Sequence, residues 1–243
     1  TLEKKTDYYM KKQKIVALLP MKANSERVKD KNFRKFNGKP LFRWMLDTLL
    51  AIKEIDHVVI NTDAREILIE NGLIETDRVV IRDRKQEICG DMVSMNLIIE
   101  DDIDNVDADI YLMTHTTSPL ITVNTVVGAL KCFQKQQNSK DGNADSLFTV
   151  DKIQTRFYRE DCSAVNHDPN NLLRTQDLEP WFEENSNLYI FTKESFTSTK
   201  ARIGKKPMMY ETPKFESIDV DTPDDWNFAT IVGGYLLNKK GKI

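Results

Sequence analysis

Apolar and polar positions along this chain alternate between two periods. "KIVALLP" (14–20) is a short apolar run with a β-branched bias and reads as a buried strand. "LFRWMLDTLLAI" (41–52) carries its apolar residues at helical spacing. "HVVINT" (57–62) returns to a strand, and "AREILIENG" (64–72) to a helix closed by Gly72. The exchange continues through strand 78–82, helix 92–103, strand 108–114, helix 122–136 and strand 146–150. This β-α rhythm predicts an α/β fold of three layers, a mostly parallel central sheet between helices.

After residue 150 the rhythm changes. "QTRFYRE" (154–160), "NLYIFT" (187–192) and "KPMMYE" (206–211) read as short strands without long helices between them, a small antiparallel extension spanning about 151–215. A last helix is expected over 221–237, with Thr222 as N-cap, Pro223 at its first position and Asp224 and Asp225 at its positive end. The polar opening, 1–13, is set apart as an extension, and 14–243 as a single domain.

Composition narrows the function. The chain has 243 residues, 40% hydrophobic and 30% charged, with a formal net charge of -3. That balance argues against general nucleic-acid binding, and no apolar stretch approaches a membrane span. The three cysteines form no C-x-x-C pair. With no signal-peptide pattern at the start, a reducing cytoplasm is expected.

Against that near-neutral whole, the segment after the first strand stands out. "MKANSERVKDKNFRK" holds Lys22, Arg27, Lys29, Lys31, Arg34 and Lys35. Ligands of parallel sheets bind beyond the carboxyl ends of the strands. Further polar clusters occupy such places: "NTDA" (61–64), Arg82 with "GDMVSMN" (90–96), and "THTTSPL" (114–120). Each has an ordinary reading as a solvated loop, a helix cap or a turn. Late in the chain, Asp219 and Asp221 flank Val220 in what reads as a strand end, which puts both carboxylates on one face. Such a pair either caps and solvates, or shares a cation; magnesium uses one or two carboxylates plus substrate phosphates.

With these residues in view, the chain resembles the acylneuraminate (CMP-sialic acid) cytidylyltransferases from about Ile15 to Trp226. "MKANSERVKDKN" is similar to that family's first loop, keeping Ser25, Lys31 and Asn32, with Lys22 in place of an arginine and Arg27 in place of a glycine. "NTD" stands for its S-T-D, "HTTSPL" for its Q-P-T-S-P-L and "DVDTPDD" for its D-I-D-T-x-x-D. The resemblance implies a Rossmann-like nucleotidyltransferase fold. It implies transfer of CMP from CTP to the anomeric hydroxyl of a nonulosonic sugar acid, with release of pyrophosphate. In that reading Lys22, Arg27 and Lys31 neutralise phosphate, Asn24, Ser25 and Asn32 hydrogen-bond the nucleotide, Arg82 and Ser94 read cytosine, and Asp219 and Asp221 hold Mg2+.

The sugar acid would meet His115, Thr116, Thr117, Ser118, Arg156, Arg174, Gln176 and Asn185. Asn185 begins an N-G-x-x-Y-like element in which Ser186 replaces the glycine. Glu183 stands where sialic-acid enzymes commonly carry arginine, which points to a different acceptor. A homodimer is implied, with the 151–215 region as its contact. The alternatives are another sugar nucleotidyltransferase, such as that for Kdo, and a non-catalytic nucleotide-binding homologue.

Overall fold

In the computed structural model, which describes residues 12–23, 25, 27–139 and 142–240, the two periodicities resolve into one seven-stranded sheet with helices on both faces. The first half of the chain runs β1 (Ile15–Leu18), the hairpin β2 (Lys35–Phe36) and β3 (Lys39–Pro40), α1 (Leu41–Leu50), β4 (His57–Thr62), α2 (Arg65–Glu70) and β5 (Val79–Asp83). It continues with α3 (Met95–Asn105), β6 (Ile110–Thr114), α4 (Val123–Asn138) and β7 (Ser146–Ile153). The remainder is β8 (Trp181–Phe191), α5 (Lys193–Thr199), β9 (Pro207–Glu211) and α6 (Pro223–Lys240). The sheet order is β5-β4-β1-β6-β8-β7-β9. β1 is parallel to β4 and β6, β4 to β5 and β7 to β9, while β8 runs against both of its neighbours.

The period of two sorts each central strand between two cores. Ile15 and Ala17 of β1, Ile110 and Leu112 of β6, and Leu188 and Ile190 of β8 face α1, α2 and α4. Val16 and Leu18, Tyr111 and Met113, and Tyr189 and Phe191 face α3 and α5. A one-residue slip of any of these strands would exchange its two faces, so the register is strongly specified.

A third cluster bears on function. Phe36 is fully buried between Trp44 and Trp226, with ring centroids 5.9 and 5.7 Å away at near-perpendicular angles. The hairpin that carries it turns through Asn37 and Gly38, with φ of 44° and 97°. Such left-handed values suit an Asn-Gly turn. Asn37 donates to the Thr230 carbonyl of α6 at 3.2 Å, so the hairpin fastens the last helix to the segment that follows β1. At the start of α6 the Thr222 hydroxyl accepts from Asp225 N at 3.2 Å and the Asp225 carboxylate accepts from Thr222 N at 2.8 Å. This reciprocal cap fixes the approach of residues 219–221.

Some expectations for the second half change. Residues 154–160 form no strand; the bridge of Tyr158 to Ala164 is isolated, and Phe157 stacks on Trp181 at 5.1 Å instead of entering the sheet. The strand expected at 187–192 is the end of the longer β8, which passes through an irregularity where Ser186 has φ 56°. That left-handed backbone fits the glycine that the resembled family has there. β9 joins β7 in parallel, so the extension is mixed, not antiparallel. The helix expected over 92–103 starts only at Met95, because the Ser94 side chain caps it by accepting from Asn96 N at 3.3 Å. The hairpin β2–β3 and the helix α5 were not expected.

Candidate active site

The sheet winds in opposite directions from β1. β4 and β5 lie to one side of it, β6 to the other. Loops leaving the carboxyl ends of β1 and β6 therefore diverge and leave a crevice, the place where open α/β sheets bind ligands.

The basic loop after β1 forms one wall, and it is braced at both ends. Asn32 is buried; its Nδ2 donates to the Lys22 carbonyl at 2.9 Å and its Oδ1 accepts from the Thr116 hydroxyl at 2.6 Å. Ala23 N donates to Asp63 at 2.7 Å, which ties the loop to the "NTDA" turn after β4. Lys22 pairs with Asp91, and Ser25 is half-buried. Asn24 lies outside the described residues.

Residues 219–221 form the facing wall. They pair in no strand, so the same-face arrangement expected from strand period does not apply. Val220 N donates to the Thr117 carbonyl at 2.9 Å, which seats the segment on the loop after β6. Lys31, only 11% exposed, donates to the Val220 carbonyl at 2.8 Å and to Asp221 at 3.2 Å, and Arg27 reaches the other Asp221 oxygen at 3.1 Å. Asp219 differs. Its Oδ1 is buried without a hydrogen-bond partner among the described residues. Burial, with the Asp221 charge adding to it, raises its pKa against the pull of Thr117 and Lys31. A buried carboxylate with an orphaned oxygen is costly unless something arrives to meet it. No three-residue metal cluster exists among the described residues. The pair suits a hard cation completed by ligand oxygens.

Arg82 does not reach the crevice. Its guanidinium is held by α3, pairing with Asp102 and lying 2.9 Å from Asp101. The reason is burial. Asp102 is almost fully buried and desolvation lifts its pKa to about 6 despite Asn61 and Arg82, so the nearest cation is drawn inward to it. The arginine at the crevice is Arg84, two residues on. It donates to Met21 O at 2.9 Å, Asn61 O at 2.8 Å and Asn61 Oδ1 at 3.0 Å, capping the ends of β1 and β4. Period two made the two arginines equivalent in the sequence; only the acids of α3 separate them.

Beyond β6, His115 sits against Arg202, with Nη1 3.5 Å from Nε2. Burial, then the positive charge of Arg202, depresses the imidazole pKa to about 4. The ring is therefore neutral at physiological pH and accepts from the guanidinium. Ser118 accepts from buried Asn187 at 2.9 Å, so it braces β8. Ser94, Asn96, Glu184 and Arg202 line a pocket of about 340 Å³. A larger depression, about 500 Å³, lies along Lys29, Asp30, Phe33 and Arg34 and includes none of the predicted site residues.

The remaining sugar-site expectations fall in the extension and have local partners. Arg174 is exposed and paired with Asp177 at 2.7 Å, and Arg156 donates to the Leu173 carbonyl at 2.5 Å. The Gln176 carbonyl lies 3.3 Å from Gln154 Nε2. Asn185 donates to the Thr212 hydroxyl at 2.6 Å, and Glu183 is exposed opposite Asp151. Arg84 and Arg202 escaped the sequence reading; Arg202 belongs to none of its motifs.

A family model described as cytidylyltransferase matches residues 16–219. The N-acylneuraminate cytidylyltransferase of Streptococcus agalactiae serotype V is 26% identical over 232 residues, covering 90% of this chain and 53% of that protein. The chain thus spans about half the length of that relative. The pseudaminic acid cytidylyltransferase of Campylobacter jejuni is 24% identical over 232 residues, covering 93% of this chain and 97% of the relative. Among solved structures, CMP:2-keto-3-deoxy-manno-octonic acid synthetase complexed with CTP superposes with a TM-score of 0.61 at 15% identity, over 91% of this chain and 99% of the other, a likeness of fold. With a matched model running from β1 to the Asp219 segment, the chain belongs to the cytidylyltransferase family.

Proposed function

We propose that the chain transfers CMP from CTP to the anomeric hydroxyl of a nonulosonic sugar acid, releasing pyrophosphate. The observation that carries this reading is the Lys31 contact. A nearly buried lysine joins the basic loop to Asp221 at the point where the sheet reverses, beside the unpartnered Asp219 oxygen. An anionic, cation-bearing ligand meets the needs of both walls at once.

In this reading Lys22, Arg27 and Lys31 neutralise the triphosphate. The Lys31 charge counts for more here than in water, because its side chain is nearly buried, while Lys22 and Arg27 act from the solvent side. Ser25 and the loop backbone hold the phosphates, with Asn24 as an expected further contact, while Asn32 holds the loop to Thr116. Arg84 and Ser94 border the base. Asp219 and Asp221 fit Mg2+, which when bound supplies a Lewis acid at the phosphate oxygens. The acceptor hydroxyl would attack the α-phosphorus in line, a reaction limited by positioning and charge stabilisation. His115, Thr116 and Thr117 stand at the acceptor side. A nine-carbon acid is favoured over Kdo by the overall resemblance, and Glu183 favours one other than N-acetylneuraminic acid. A homodimer would use the extension, which exposes Tyr158, Trp181 and Phe182.

No helix among the described residues is long and apolar enough to cross a membrane. A cytoplasmic location remains the reading drawn from the cysteines, all three of which are free thiols.

The test is pyrophosphate release from each nucleoside triphosphate against a panel of nonulosonic and octulosonic acids. CTP with a nine-carbon acid should give the highest rate. Equal turnover with GTP or UTP would remove the cytidylyl assignment.

A further inference from the structure

Asn61, the next-to-last residue of β4, is fully buried between the acids of α3 and Arg84. Its Nδ2 donates to Asp102 at 2.8 Å and reaches Asp101 at 3.3 Å, while its Oδ1 accepts from Arg84 Nε at 3.0 Å. The amide fits only this way round. Turned over, it would set its oxygen against two carboxylates and its N–H donors against the Nε–H of a cation. The acids of α3 therefore decide which end of Asn61 meets Arg84.

The guanidinium of Arg84 is held along one edge. Nε meets the Asn61 amide, and Nη2 donates to the Met21 and Asn61 carbonyls at 2.9 and 2.8 Å. Both hydrogens of Nη2 are then engaged, whereas Nη1 has no hydrogen-bond partner among the described residues. No carboxylate among them pairs with Arg84. Its neighbour Arg82 takes both acids of α3, and Arg65 takes Asp83 at 2.6 Å. Burial lowers the Arg84 pKa, and the charges of Asp63, Cys89 and Asp102 act against that without touching it. A neutral amide set between a buried acid and an arginine orients the guanidinium and leaves its charge uncancelled. A carboxylate in the same place would form a direct ion pair and occupy the fork. Met21 immediately precedes Lys22, so the oriented guanidinium lies at the root of the basic loop.

We infer that Asn61, oriented by Asp102, is a positioning residue for nucleotide binding: it fixes the Arg84 guanidinium at the ends of β1 and β4 with Nη1 left for the ligand. This rests on the cytidylyl-transfer reading and goes beyond it to how the arginine bordering the base is set.

The experiment reads the arginine first and the ligand second. In isotope-labelled protein the Arg84 Nε–H resonance is assigned by its loss in Arg84→Met. It should exchange slowly with solvent in wild type and about tenfold faster or more in Asn61→Ala. CTP with Mg2+, titrated by calorimetry, should bind Asn61→Ala about tenfold more weakly than wild type. Made in the Arg84→Met background, the same change should alter the affinity by less than about twofold, because the two residues act as one unit. A purely structural role for Asn61 would weaken binding equally in both backgrounds. Thermal melting checks that the variants fold. Should Asn61→Ala fail to fold, Asn61→Ser keeps a polar side chain too short to bridge Asp102 and Arg84, and the same results are expected of it.

The inference is overturned if the wild-type resonance exchanges freely, or if a folded variant at position 61 leaves its exchange unchanged. It is also overturned if wild type binds no CTP, if that variant binds CTP as wild type does, or if its effect is undiminished without Arg84. Pyrophosphate release by wild type with the sugar-acid panel reads the transfer separately. CTP binding that depends on Asn61 through Arg84, with no turnover, would sink the transfer reading and leave the positioning standing. Turnover with an affinity indifferent to Asn61 would do the reverse.

Discussion

The crevice and the extension are both rich in arginine, lysine and acid, yet their charges are wired differently. In the crevice Lys31 reaches Asp221 across 190 positions of sequence, and Asn32 reaches Thr116 across 84. In the extension Arg174 pairs with Asp177 three positions away, and Arg156 with Leu173 seventeen away. Long-range partners must be brought together against chain entropy, and burying their charges adds a desolvation cost. Such contacts persist where the fold holds them, here through the hairpin, α6 and the loop after β6. Local exposed pairs contribute little to stability or to geometry.

The sharpest way to break this contrast is at the two aspartates and the lysine between them. Asp219→Asn should lower turnover with CTP on the order of a hundredfold or more, and chelation of divalent cations should do the same to wild type. Lys31→Ala should lose a comparable factor in turnover. It should also lose about 1–2 kcal/mol of stability, because its hydrogen bonds to Val220 and Asp221 go with it. Initial rates and denaturant titrations of the same preparations separate the two effects. Turnover within threefold of wild type in Asp219→Asn would return the pair to a capping role.

A second break lies inside the crevice, between the neighbouring arginines. Arg82→Met leaves Asp101 and Asp102 short of a buried partner and should cost about 3 kcal/mol of stability. Its KM for CTP should stay within threefold where the variant is folded. Arg84→Met should raise that KM about tenfold, because it caps the strand ends at the crevice itself. A reversed pattern would restore the reading of cytosine to Arg82.

These arginines mark how far the sequence can be read. The strands were legible because each central one has two buried faces and a strict period of two. The crevice was legible because basic and acidic clusters fell at strand ends. Which of Arg82 and Arg84 faces α3 was not, since residues two apart share a face and Asp102 is a tertiary partner. The direction of β9 was equally hidden, because parallel and antiparallel pairing present the same alternation. Asp219 and Asp221 were read in a wrong element; they lie in a loop tied to Thr117 and not in a strand. The Asn37–Gly38 turn was present in the sequence as a hairpin signal, masked by strands of only two residues. Arg202 had no signal at all; its setting depends on His115 after β6 and on Tyr189 and Glu184 of β8, two other places in the chain.

A smaller effect sharpens the crevice end. The folded His115 pKa, about 4, lies below its ordinary 6.5, so the unfolded chain binds more protons between these values. Stability from this group is therefore lost as pH falls from 6.5 toward 4. Asp102 acts the other way in the same window, with a folded pKa near 6 above its ordinary 3.8, so the two offset in wild type. Comparing wild type with His115→Gln isolates the histidine. The stability difference should shift against wild type by about 2 kcal/mol between about pH 7 and pH 4.5. Parallel pH profiles would mean that the imidazole is not held neutral.

The smallest expected effect tests the extension itself. Arg174 is 73% exposed along its side chain and closes a loop of three residues with Asp177. Removing it should change stability by no more than about 0.5 kcal/mol, since exposed ion pairs are weak and nothing buried loses a partner. If its charge is spent on Asp177, Arg174→Ala should also leave the KM for the sugar acid within threefold. A large rise in that KM for Arg174→Ala would require the Asp177 pair to open and the extension to swing its arginine onto a substrate. Adding Asp177→Ala decides between these cases. A freed Arg174 would then tighten acid binding if the extension closes, and would leave it unchanged if the loop stays where it is.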